Sequence, residues 1–214
     1  MGPQTAAAIW TAVHSERSAL LQDVEQLTTA QWQTPSLCPG WSVHDVLAHL
    51  VDGAQTTRLG FIRRLLAARF DFDRDNALGV AREGAGGPAA TVSKFRGVLQ
   101  LSSTPPVALA TRLVEAFVHG EDIRRPLGIH RSYPAAHVVT ALDYQLKTAV
   151  GMGGGRERGA AWQLVASDAH WSHGSGPELR GTATALLLAM SGRPMAGGEL
   201  TGPGAAGFLA QAGS

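Results

Sequence analysis

Apolar residues at Ile9, Val13, Leu20, Val24 and Leu27 recur at spacings of three, four and seven. One buried stripe of a helix over about 5–27 follows from that period. Pro35, Pro39 and Gly40 then force a loop. The segment LCPGWSVHDVLAHL opens a second helix with clear punctuation: Ser42 is the natural N-cap, Asp45 completes a capping box, and Trp41 can staple against Val46. Leu59, Ile62, Leu65 and Leu66 mark a third helix, with Arg58, Arg63 and Arg64 around it. Between Phe70 and Pro88 the period is lost. The charged run RFDFDRDNALG and the tract EGAGGP predict a long surface connection or lid. A short helix is expected over about 93–101. Pro105 and Pro106 start a stronger one that runs to about Ile123, and another follows Pro134 and ends in the glycines at 151–155.

Beyond those glycines the period changes. WQLVAS alternates as a strand does, and HWSH and PELRG read as further short strands. GTATALLLAMSG is a compact apolar helix closed by Gly192, and ELTG with AAGFLAQ adds one more strand and helix. The fold class is therefore mainly α: an all-helical domain over 1–150 and a small α+β domain over 158–214, with the glycine cluster as linker. Neither an internal repeat nor a coiled-coil heptad is present.

The chain has 214 residues, of which 44% are hydrophobic and 16% charged, so a proper core is affordable and wholesale disorder is excluded. A net charge of +1 lacks the basic footprint of a nucleic-acid binder. No apolar run reaches about 18 residues and no signal-peptide pattern opens the chain, so no membrane span is expected and a cytoplasmic setting is. The lone cysteine, Cys38, rules out internal disulfides and multi-cysteine zinc sites. Thiol chemistry in such a chain relies on an external thiol.

Polar residues on apolar helix faces mark the candidate chemistry. His49 falls on the side of Val46 and Leu50, with Asp52 three residues on. In TRLVEAFVHGEDIRR, Glu115 and His119 are four apart and stack on one face, which Asp122 continues. A buried carboxylate needs a partner. Two histidines and one carboxylate are a familiar ligand set for catalytic zinc, and helix bundles build such sites from inward-pointing side chains. The bland alternative is a core or surface histidine at 49 and a simple intrahelical pair at 115 and 119. Arg112, one turn before Glu115, is the best bundle-borne candidate for holding a carboxylate substrate. Arg58, Arg112, Arg124 and Arg125 otherwise read as mostly solvated or paired with nearby acids, and Trp10, Trp32 and Trp41 as core and staple residues. Cys38 reads as a packed small hydrophobe, since no base can be paired with it by spacing. His170 and His173 point to opposite faces of an extended segment and read as exposed; His14, His44, His130 and His137 show no partner pattern.

The stretch LCPGWSVHDVLAHL, followed downstream by EAFVHGEDIRRPLG, resembles the mycothiol-dependent maleylpyruvate isomerase family, part of the wider DinB-like metal-binding helical bundles. The resemblance spans most of residues 1–150. It implies a DinB-like four-helix bundle followed by a small domain similar to sterol carrier proteins. In that family P-G-W-(S/T)-x-x-D-x-x-x-H carries the first histidine ligand, and E-x-x-x-H-x-x-D carries the glutamate and the second histidine. Carried over, the metal ligands are His49, Glu115 and His119, with Asp122 behind them. The step ALLLAMSGR matches the family's apolar helix ending in Gly-Arg and suggests Arg193 as the active-site arginine; a plain helix-end charge is the other reading. The small domain is shorter than the family pattern.

The resemblance implies a divalent metal, zinc foremost, and mycothiol as cofactors. A free thiol of pKa near 8.5 is only about 3% thiolate at pH 7, and metal coordination removes its proton. The thiolate would attack a small-molecule electrophile, often a carboxylate. In an isomerase it adds to a cis double bond beside a carbonyl, the bond rotates, and the thiol leaves; in an S-transferase the adduct departs. Arginines would fix the carboxylates. The alternative of another class is a non-catalytic, metal-stabilised module that binds a small ligand or a partner protein.

Overall fold

The computed structural model describes residues 4–212. The chain divides into two compact units, one over Thr5–Arg131 and one from Ser132 onward that also takes in Gln4. The division thus falls ahead of the glycine cluster expected to act as linker. The helix after Pro134 packs with the later apolar helix.

The first unit is all helical. Its elements are α1 (Ala6–Val24), the single turn α2 (Thr29–Trp32), α3 (Val43–Gln55), α4 (Arg58–Ala67), α5 (Phe72–Gly84), α6 (Gly87–Val98) and α7 (Thr111–Arg124). Helix α3 is the central strut, packed by α5, α6 and α7, while α1 lies against α7. The capping box read from sequence is present: Ser42 Oγ accepts from the Asp45 amide at 3.2 Å and the Asp45 carboxylate accepts from the Ser42 amide at 2.9 Å. Val46, Leu47, Leu50, Val51 and Ala54 of α3 are buried against Leu20, Phe95 and Ile123, with Trp41 packed on the edge of the cluster. Each such Leu or Val contributes about 1.5–3 kcal/mol by leaving water.

Residues 70–88 correct the expectation of an open connection or lid. Two helices, α5 and α6, occupy most of the segment. Asp71 caps α5, accepting from the Arg74 amide at 2.9 Å, and Pro88 sits in the first turn of α6, where a missing N–H costs nothing. The apolar period failed here because α5 meets the bundle through charges. Asp75 and Glu83 are buried, and Arg64 joins Asp75 at 2.9 Å to Asp52 of α3 at 2.7 Å. Arg82 reaches both Asp52 and Glu83, and Lys94 completes the set on Glu83 at 3.1 Å. Gly79 allows the approach, since a Cβ there would stand 2.6 Å from Asp52 Oδ2. Helix α4 forms where expected, yet none of its side chains is buried, and Leu59, Ile62 and Leu66 face solvent. The helix expected to begin at Pro105 and Pro106 begins at Thr111.

The second unit contains α8 (Ala135–Lys147), the short turn α9 (Arg156–Gly159), β1 (Gln163–Ala166), β2 (Ser172–His173), β3 (Glu178–Gly181), α10 (Ala183–Met190) and α11 (Ala205–Ala212). The sheet order is β2-β1-β3, with β1 antiparallel to β2 and parallel to β3. The expected strand at ELTG reduces to a bridge between Thr201 and Arg180. Apolar α10 is buried almost throughout, and Gly192 closes it with φ 73, a left-handed conformation suited to glycine.

Arg124 is fully buried at the end of α7, where it pairs with Glu16 and, at 2.7 Å, with Asp23 of α1. Burial pushes the Glu16 carboxyl up, and Arg124 opposes that shift. Removing the cation would leave buried Glu16 with only the longer Arg131 contact at 3.6 Å. Arg124→Ala is expected to lower the unfolding free energy in urea by about 3–5 kcal/mol, and a change near zero would show that the pairing does not stabilise the bundle.

Candidate active site

Helices α3 and α7 bring the two sequence motifs together. The rings of His49 and His119 meet edge to face with centroids 4.9 Å apart. One turn along, Glu115 lies against Gly53, where an added Cβ would stand 2.8 Å from Glu115 Oε2. His49 therefore faces His119 while Gly53 faces Glu115, so the two helices run antiparallel with all three candidate ligands on the facing sides. The loop before α3 is tied to the same end of α7, with the Leu37 amide donating to the Asp122 carbonyl at 3.3 Å.

His49 is enclosed by Trp41, whose ring centroid is 5.1 Å away, and by His119. Its pKa is pushed down to about 3, first by burial and then by the charges of His119, Arg112 and Arg64, with Asp122 opposing. The ring is thus neutral at ordinary pH. Its Nδ1 is buried and has no hydrogen-bond partner among the described residues. A buried, unpaired imidazole nitrogen is costly unless something binds it. His119 Nδ1 lies 2.9 Å from Asp122 Oδ2, and Asp122 is fully buried. A carboxylate accepts, so Nδ1 carries a proton and Nε2 is the nitrogen left to face a cation.

Glu115 is held differently. Arg112 Nη1 stands 2.9 Å from Glu115 Oε2, with both side chains nearly buried. The contact is ionic rather than an aligned hydrogen bond, since Arg112 Nη1 has no hydrogen-bond partner among the described residues. Three His, Cys, Asp or Glu side chains placed to hold a metal ion do not occur among the described residues. The neutral His49 with its orphaned nitrogen and the carboxylate-backed His119 suit a divalent cation. The carboxylate of the expected trio is engaged by an arginine instead.

The remaining candidates fall elsewhere. Asp52, on the side of α3 near His49, turns to Arg64 and Arg82. Arg125 pairs with Glu121 at 2.7 Å and Arg58 is exposed. Cys38 is half-buried in the loop before α3 and packs against the core. His170 and His173 are exposed, as read from sequence. Within the second unit, Arg193 follows the end of α10, donates from Nη1 to the Ser191 carbonyl at 3.1 Å, and helps line a cleft of about 750 Å³ with Arg158, Met195 and Phe208. Sequence reasoning missed Arg17 of α1. It is 4% exposed, and its charge is disfavoured first by burial, favoured by Glu115 and disfavoured by Arg112. Its signal was a charged residue on the Val13–Leu20–Val24 stripe.

Residues 13–98 match the family model of the mycothiol maleylpyruvate isomerase N-terminal domain. That segment includes His49 and ends before Glu115 and His119. No curated protein matches the chain by sequence. Among solved structures, the mycothiol-dependent maleylpyruvate isomerase shares the fold with a TM-score of 0.65 at 14% identity, over 94% of this chain and 93% of that one. A histidine-to-alanine mutant of that enzyme matches equally, at 13% identity, a TM-score of 0.65 and the same coverage. The resemblance to the mycothiol-dependent maleylpyruvate isomerase family read from sequence is thus borne out over residues 13–98, and the fold is shared through most of the chain.

Proposed function

We propose that this chain is a divalent-metal enzyme that works with mycothiol on a small electrophile, as an isomerase of a maleylpyruvate-type cis-unsaturated acid or as an S-transferase. The observation that carries the reading is the His49–His119 contact, in which one ring is neutral with an enclosed, unpaired nitrogen and the other is backed by Asp122. The metal ligands are His49, His119 and Glu115. Bound there, a zinc-like cation supplies the Lewis acidity that converts a thiol to a thiolate near neutral pH.

The chain's own residues prepare that chemistry. Burial beside Trp41 keeps His49 unprotonated, so its lone pair is free. Asp122 fixes the tautomer and the orientation of His119. The single cysteine sits away in its loop, which suits an external thiol as nucleophile. Arg112, which meets Glu115 in this structure, is the proposed carboxylate-holding group of the bundle, and Arg193, suggested by the resemblance, lines a cleft within the second unit. That cleft, part apolar and bordered by two arginines, also favours the second reading, a module that binds a small anionic ligand without chemistry. Stabilisation by mycothiol that vanishes on chelation distinguishes the enzyme from the module.

Purified protein is expected to hold about one equivalent of metal per chain by elemental analysis, and His49→Ala and His119→Ala should each abolish it. Full retention in both variants would remove the site. Asp122→Asn should keep the fold but weaken metal affinity by about 10–100-fold in chelator competition. An unchanged affinity would mean that Asp122 serves the bundle alone.

A further inference from the structure

His49 Nδ1, Arg112 Nη1 and Arg17 Nη2 are buried nitrogens of the first unit that lack a hydrogen-bond partner among the described residues. The two arginines come from α1 and α7, and are 4% and 7% exposed. Arg17 spends Nη1 on the Leu101 carbonyl at 2.8 Å and leaves Nη2 unmatched. Both guanidinium groups interact with a single carboxylate, Glu115, and repel each other. Two enclosed cations around one anion are short of negative charge, and Glu115 is also the carboxylate that the metal reading needs.

We infer that Arg17 and Arg112 form a carboxylate-binding subsite that Glu115 fills in the metal-free chain and vacates when it turns to the cation, a small organic carboxylate then taking its place. The inference rests on the metal reading above. The cavity beside Arg17, Leu50 and Glu115 is about 10 Å³, room for about one water, so a second carboxylate does not fit there while Glu115 stays in place. Exchange of one carboxylate for another keeps one anion beside the two arginines at every stage. Without the incoming anion, turning Glu115 away would leave two buried cations facing each other, which is costly. Metal and carboxylate are therefore linked: each tightens the binding of the other by the same factor. Arg112 acts meanwhile as a competitor that holds Glu115 off the metal.

The test is zinc affinity, measured by competition with a chromophoric chelator, with and without propionate, a carboxylate that does not chelate. Zinc binding to the unaltered protein should tighten several-fold with propionate, after correction against His49→Ala protein in the same buffer. Arg112→Gln should bind zinc about tenfold more tightly without propionate and respond to it no further. Arg17→Gln and Arg112→Lys, which keep more of the local packing or charge, should fold and each show a reduced propionate response. They decide the matter if Arg112→Gln does not fold. If the unaltered protein binds zinc, propionate changes nothing, and Arg112→Gln is no tighter, the subsite is overturned while the metal reading stands. If neither the unaltered protein nor Arg112→Gln binds zinc, the metal reading falls and takes the subsite with it.

Discussion

Glu115 projects from α7 onto the bare backbone of Gly53 in α3, and the closeness of that approach governs what the bundle can do there. A side chain at position 53 would displace the carboxylate, so the glycine sets where Glu115 rests within an otherwise ordinary amphipathic helix. The same face carries His49 one turn earlier, and the antiparallel run of α7 places His119 opposite it. The polar cluster thus follows from two helices meeting along one line. Its members come from stretches far apart in sequence, and neither helix alone could satisfy them.

The positions of His49, Glu115 and His119 on facing helix sides were legible because each breaks an apolar face at helical spacing. The capping box at Ser42 and Asp45 was legible because caps depend on local chemistry alone. Arg17 and Glu16 were not, although both sit on the apolar side of α1 and are buried there. An apolar stripe conceals its polar members when they are read as helix-surface charges. Their burial depends on which helix lies opposite, information that resides in α7 with Arg124 and Arg112.

Helix α5 was hidden for the opposite reason. Its inward face is acidic, so a search for apolar period found only a charged run. The segment is held by charge matching instead: Asp75 and Glu83 are buried because Arg64, Arg82 and Lys94 stand ready for them. Buried ion pairs contribute little net stability by themselves, yet breaking one leaves an uncompensated charge. That asymmetry makes them specific. The second unit was easier, since the period-two alternation of β1 and the wholly apolar α10 leave few alternatives, and only the extent of pairing at Thr201 differs.

Helix α4 has no enclosed side chain, and it is followed by two non-glycine residues in the left-handed region, Arg69 and Phe70. Such backbone costs about 1–3 kcal/mol per residue. The helix is fastened through the Arg64 guanidinium, which bonds Asp52, Asp75 and Thr56, and through the Phe61–Phe72 ring contact. Its detachment would expose no buried apolar side chain of its own and would relieve strain at the following bend, with the Arg64 pairs to Asp52 and Asp75 among the contacts to be broken. Amide protons of α4 should consequently exchange through local opening long before the bundle as a whole unfolds, making this the flap of the molecule that solvent reaches first.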